Sequence, residues 1–148
     1  MDNTDVRLLE ILQKDGRITL SDLSKELSLS RPSVSERMTR LREQGIIEGI
    51  AARVSPAAVG RNVLLFIQVS EVKIPYHEFE EMMVEHPDII ECHRVTGMVN
   101  YFLKAAVNDM NHLRTLIDYL IPFGIINTSI VLKSPVENKS VLPTFDSE

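Results

Sequence analysis

Between Arg31 and Arg42 the chain carries four arginines and one glutamate, a local charge of +3 in a protein whose formal total is −5. Ser33, Ser35 and Thr39 are interleaved with those charges. Guanidinium groups suit phosphate or guanine, and hydroxyl and carboxylate groups suit base edges, whereas ordinary solvent faces are dominated by Lys and Glu. Ser33, Ser35 and Glu36 are therefore candidates for base contact. Arg31, Arg37 and Arg40 are candidates for phosphate or guanine, with Lys25 from the preceding segment near phosphate. Arg37 has a second reading, an ion pair with an acid of the first helix.

The elements that must position these residues are two short helices. Leu20, Leu23 and Leu27 are spaced three and four apart, which gives one apolar face. Thr19 can cap that helix. Ser28-Leu29-Ser30 makes a compact turn in which Leu29 is too apolar to be exposed and should fill the gap between the helices. Ser30 can cap the second helix, Pro32 fits its first turn, and Gly45 stops it. Val34, Met38 and Leu41 form its buried line. Such a pair is a helix-turn-helix, whose second helix enters the major groove. An earlier helix over 4–15, capped by Thr4 or Asn3, completes a three-helix core of Leu8, Leu9, Leu12, Leu20, Leu23, Leu27, Val34, Met38 and Leu41. A wing would follow Gly45, but the flanks of Glu48-Gly49 are short for a hairpin.

The acidic total does not argue strongly against nucleic acid. Residues 1–60 balance nine basic against nine acidic residues, and the whole excess of −5 lies in residues 61–148. A local field matters more for phosphate contact than the total. Apolar residues make up 44% and charged residues 25%, an ordinary globular composition. With no long apolar run and no basic, apolar leader, the expected location is the cytoplasm, on the nucleoid, without a membrane partner.

The second half reads as strand 63–72, helix 76–86, strand 89–96, strand 99–107, a helix to about 121 and strand 125–133. That is the ferredoxin-like β-α-β-β-α-β order, an antiparallel sheet with both helices on one face. The whole is α+β: a three-helix (winged) helix-turn-helix domain over 1–49, a linker with a short strand over 50–62, and an oligomerisation and effector-binding domain with its tail over 63–148. One sheet face is left uncovered, which predicts a two-fold dimer. The tail carries Val141, Leu142, Pro143 and Phe145, so part of it is expected to pack on a neighbour.

Catalysis finds little support. His77, His86, His93 and His112 are scattered, and His77 with Glu81 lacks a third metal ligand. Cys92 and His93 are adjacent on a strand and point to opposite faces. No catalytic residue, metal or cofactor is expected. Gly97, at a turn between strands, and the polar Asn100, Thr128 and Ser129 could instead hold a small zwitterion between subunits.

The chain resembles the Lrp/AsnC family of prokaryotic transcription regulators along nearly its whole length. The segments that carry the likeness are DNTDVRLLEILQKDGRIT, LSDLSKELSLSRPSVSERMTRLREQGIIEGIAARVSPAAVG, VTGMVNYFLKAAV and TSIVLKSPVENKSVLP. The resemblance implies a regulator of double-stranded DNA, not an enzyme. It also implies a homo-oligomer that dimerises through the second domain and assembles to a tetramer or octamer. An amino acid would be held by the Gly97-Met98 loop and by polar positions near Asn100, Thr128 and Ser129, with a neighbouring subunit completing the site. The family commonly has Asp where this chain has Asn100, so a charge that could face the ligand's amino group is missing. The remaining readings are an architectural DNA protein of low specificity and a protein-interaction module, the second of which salt dependence would separate from DNA binding.

Overall fold

The computed structural model describes residues 1–144; Phe145 lies outside the described residues. The chain divides into two compact units, one of Met1–Arg53 with the tail from Val136, the other Val54–Pro135. Among the described residues no helix is long and apolar enough to cross a membrane.

The first unit is built on α1 (Asn3–Lys14), α2 (Leu20–Leu27) and α3 (Arg31–Glu43). Leu8, Leu9, Leu23, Val34 and Leu41 form its buried core, with Leu12, Leu27, Leu29, Met38 and Ile47 packed at the edges. Leu29 fills the interhelical gap as its apolarity requires. Leu20, expected in the core, is 38% exposed. It is the first residue of α2, beyond the stretch of that helix whose Leu23 and Leu27 reach the core. The cap of α1 is Asp2, not Thr4 or Asn3. Asp2 Oδ1 accepts from the Asp5 N–H at 2.8 Å and Asp5 Oδ2 accepts from the Asp2 N–H at 3.1 Å, a reciprocal capping box.

No strand forms over residues 44–62, neither a wing nor the short strand expected in the linker; a single 3-10 turn stands at Ala57–Val59. An isolated extended segment leaves its ladder groups unpaired, and Ser55-Pro56 interrupts it. The tail joins the helical unit, not the sheet. The Gln13 carboxamide pairs with one peptide group of the tail, Nε2 donating to Val141 O at 2.9 Å and Oε1 accepting from Val141 N at 2.8 Å.

The second unit has the order β1 (Val63–Ser70), α4 (Tyr76–Glu85), β2 (Ile89–Arg94), β3 (Tyr101–Val107), α5 (Met110–Leu120) and β4 (Ile125–Ile130). The sheet order is β2-β3-β1-β4, antiparallel throughout. Leu65, Ile67 and Val69 of β1 and Tyr101, Leu103, Ala105 and Val107 of β3 point to one face. There they bury against Phe79 and Met83 of α4 and Leu113, Leu116 and Leu120 of α5. The opposite face carries Phe66 and Phe102, 44% and 38% exposed.

One buried charge organises this unit. Asp88, just before β2, is 5% exposed. Its Oδ1 accepts from Arg61 Nη1 at 2.6 Å, and its Oδ2 lies 2.7 Å from His112 Nε2 on α5. Its carbonyl accepts from Ala106 N on β3 at 3.0 Å, and Arg61 Nη1 also donates to Ala106 O. Burial alone would raise the Asp88 carboxyl, but the hydrogen bonds from Arg61 and His112 outweigh it and hold the group below the ordinary carboxylate value.

Candidate nucleic-acid interface

The turn between α2 and α3 is fixed by its own polar groups. Thr19 caps α2, its hydroxyl oxygen accepting from Asp22 N at 3.1 Å. The same hydroxyl donates to the Asp22 carboxylate, so Asp22 faces its cap residue through the side chain. Ser28 closes α2 in the left-handed region at φ 52°. Leu29 N donates to Ser24 O at 3.0 Å, and the Ser24 hydroxyl donates back to Leu29 O. Ser30 then caps α3, accepting from Ser33 N at 3.3 Å, with Pro32 in the first turn where a missing N–H costs nothing.

With Val34 and Leu41 fully buried, the opposite side of α3 is fixed by helical geometry. Ser35, Glu36 and Arg40 stand on that outward face with Pro32, Thr39 and Glu43, lining one shallow, open groove. Thr39, whose hydroxyl the sequence places among these charges without naming it a contact, stands there too, one turn after Ser35. Ser33 is half-buried at the side of this face.

The basic residues divide into two sets. Arg31 Nη2 donates to Ser21 Oγ at 3.0 Å, tying the start of α3 to α2. Lys25 is exposed, 3.1 Å from Asp22 Oδ1. Arg37 and Arg40 turn towards α1. Arg37 Nη1 donates to Asp2 Oδ1 and Oδ2 at 2.9 and 2.7 Å and to Asp5 Oδ1 at 2.7 Å. Arg40 Nη2 donates to both oxygens of Asp5, at 2.9 and 3.0 Å. The Asp5 side chain is 2% exposed, Arg37 is 21% exposed and Arg40 46%. The Asp5 N–H and then Arg37 hold the Asp2 carboxyl below its ordinary value, while Asp2 and then Asp5 raise Arg37 further. These four residues sum to zero charge, so Arg37 acts as the clamp between α1 and α3, the second of the two readings its sequence position allows. Residue type alone does not mark Asp5. Its signal was an acid in line with Leu8, Leu9 and Leu12, where a buried carboxylate must find a partner.

The five residues expected to hold an effector are not gathered into one pocket within the chain. Gly97 (φ 106°) and Met98, 95% exposed, lie in the loop between β2 and β3. That loop spans residues 95–100 and is longer than the tight connection expected. The Asn100 carboxamide is committed internally: Oδ1 accepts from Val72 N at 3.3 Å and Nδ2 donates to Tyr76 Oη at 3.2 Å. Thr128 and Ser129 are on β4, with β1 between them and β3. They face opposite ways, Thr128 in register with core residue Ile67 and Ser129 with Phe66 on the uncovered face. Strand alternation allows no other arrangement.

Comparison with known proteins agrees with both halves of this geometry. Residues 1–48 match a family model described as winged helix-turn-helix DNA-binding, and residues 62–141 match the Lrp/AsnC ligand binding domain. An uncharacterized HTH-type transcriptional regulator of Bacillus subtilis is 36% identical over 90% of this chain and 95% of its own. The leucine-responsive regulatory protein of Escherichia coli is 35% identical over 79% of this chain and 73% of its own. The solved structure of B. subtilis LrpC superposes with a TM-score of 0.87 at 27% identity, covering 94% of this chain and 99% of that one. A Neisseria meningitidis transcriptional regulator solved as its L-Met complex gives 0.88 at 31%, covering 95% and 96%. The chain belongs to the Lrp/AsnC family and is a sequence-specific DNA-binding transcription regulator, not an enzyme.

Proposed function

We propose that the outward face of α3 reads the operator, with Ser33, Ser35 and Glu36 at base edges and Lys25, Arg31 and Arg40 at phosphate or guanine. The observation that carries this reading is the groove of Pro32, Ser35, Glu36, Thr39, Arg40 and Glu43, an uncovered polar strip on the second helix of a helix-turn-helix. Arg37 is assigned to the clamp on α1. Selection of bound sequences from a random duplex pool, at two salt concentrations, tests the assignment. A two-fold motif should emerge, and binding should fall steeply with salt. Replacing Arg40 with Ala should lower the log–log salt slope by about 0.9. Replacing Ser35 with Ala should relax preference at one base pair, worth about 1–3 kcal/mol. Salt-sensitive binding without a motif would indicate an architectural protein, and loss of neither affinity nor preference would move the interface off α3.

The working unit is a homo-oligomer whose dimer contact is the uncovered sheet face around Phe66 and Phe102, with dimers joining into a tetramer or octamer. The effector is an amino acid. The L-Met complex of the Neisseria relative supports that class, and the separation of Gly97 and Met98 from Thr128 and Ser129 within one chain supports a site completed by a second subunit. With the Asn100 carboxamide bound to Val72 and Tyr76, its part is to hold the loop in shape. A ligand that prefers one assembly must shift DNA affinity through linkage. Size-exclusion runs and DNA titrations across the twenty amino acids should show at least one that changes both. No change in either with any of them would refute an amino-acid effector.

A further inference from the structure

We propose that Asp5, on α1, is a positioning residue for DNA binding: its buried carboxylate holds the Arg40 guanidinium in place, so that phosphate meets a preset donor on the outward face of α3. This deepens the reading of α3 given above and rests on it. The Asp5 carboxylate is 2% exposed and anchored twice over, by the Asp2 N–H at 3.1 Å and by Arg37 Nη1 at 2.7 Å, so it cannot follow a moving partner. Both of its oxygens receive a single nitrogen of Arg40, Nη2. A guanidinium has five N–H donors in a rigid fork. Holding Nη2 fixes where that end of the fork sits, and the Nη1 and Nε hydrogens remain for a ligand on a side chain 46% exposed.

Freedom would cost Arg40 more than disorder. Glu36 is four residues before it and Glu43 three after it, both on the same groove. Those are the spacings at which helical side chains pair. An untethered Arg40 would swing to one of these carboxylates. That would remove a cation from the DNA face and occupy Glu36, which is needed at a base edge. Asp5 draws Arg40 to the edge of the groove and leaves Glu36 open. Part of the ordering that DNA would otherwise impose on a long side chain is thereby completed during folding.

Simple electrostatics gives the opposite expectation. Asp5 is a negative charge beside a DNA-binding helix, and its removal should strengthen binding and steepen the salt dependence. The test uses the full chain with Asp5→Asn, Arg40→Ala and the double variant, titrated with the random-centre duplex pool at several salt concentrations. Binding is read at a temperature where circular dichroism shows each variant folded. We expect Asp5→Asn to weaken binding about tenfold and to lower the salt slope by about 0.9, the loss of one phosphate contact. The double variant should bind like Arg40→Ala alone. If Arg40→Ala weakens binding and Asp5→Asn does not, positioning is overturned while the α3 reading stands. If Arg40→Ala changes neither affinity nor slope, Arg40 makes no phosphate contact and the proposal falls with that assignment, while Ser35→Ala still decides the α3 reading. Should Asp5→Asn not fold, nitrogen relaxation of the arginine Nε–H groups in the unaltered protein without DNA decides. Arg40 as restricted as the helix backbone supports the proposal, and Arg40 as mobile as Arg42 overturns it.

Discussion

A chain carrying Phe66→Asp and Phe102→Asp together should elute as a monomer and bind duplex DNA roughly 10²–10⁴-fold more weakly, the loss expected when two linked binding heads become one. Phe66 is in register with Lys104 and Gln68 with Phe102, so the two rings sit diagonally on neighbouring strands of the uncovered face. A buried phenylalanine is worth about 1.5–3 kcal/mol, and a two-fold contact would cover four of these rings. An aspartate at each place puts four charges into that contact, and a charge without a partner is costly to bury. The fold should survive, because neither ring belongs to the core beneath α4 and α5. Thermal unfolding by circular dichroism checks that, and sedimentation velocity with DNA titration reads the rest. A dimer that persists would place the contact elsewhere. A monomer that binds as tightly as before would show that one head suffices.

The fold was legible where its signals are local. Thr19, Ser30 and Pro32 stand at the starts of α2 and α3, and each start is set by a bond spanning three residues. The apolar, β-branched run over 63–72 identifies a strand without reference to any other part of the chain, though a fully buried one; the structure buries only the face of Leu65, Ile67 and Val69. What escaped depends on partners far away in sequence. Asp5 meets Arg40 across 35 residues, and Gln13 meets Val141 across 128, while the pairing of Arg37 with α1 was open as one of two readings but without its acid. Of these only Asp5 left a trace, as an acid inside an apolar stripe. Thr128 and Ser129 are a different case. The alternation that separates Cys92 from His93 separates them too, and it was readable from their adjacency. Grouping them by polarity overlooked it.

Asp88 is a further long-range case and carries the largest expected loss of stability. In sequence it stands beside Pro87, just past the helix expected over 76–86, with nothing local to mark a further role; in the structure it ties Arg61, the end of β3 and α5 to the start of β2. Asp88→Ala should cost about 3 kcal/mol in urea unfolding at pH 7, the low end for a broken buried pair. The reason for the low end is that Arg61 and His112 are 33% and 34% exposed and can turn to water. The loss should also depend on pH, with a definite sign. The folded pKa of Asp88 lies below its ordinary 3.8, so on acidification the unfolded chain takes up the proton first. The stabilisation is therefore complete above about pH 5 and is lost as pH falls through the folded value. The gap between the unaltered protein and Asp88→Ala should be widest near neutrality and narrow steadily below pH 4. A gap that stayed constant into acid would mean that Asp88 contributes through packing alone. A gap that widened would reverse the sign of its linkage and remove Arg61 and His112 as the groups that hold it ionised.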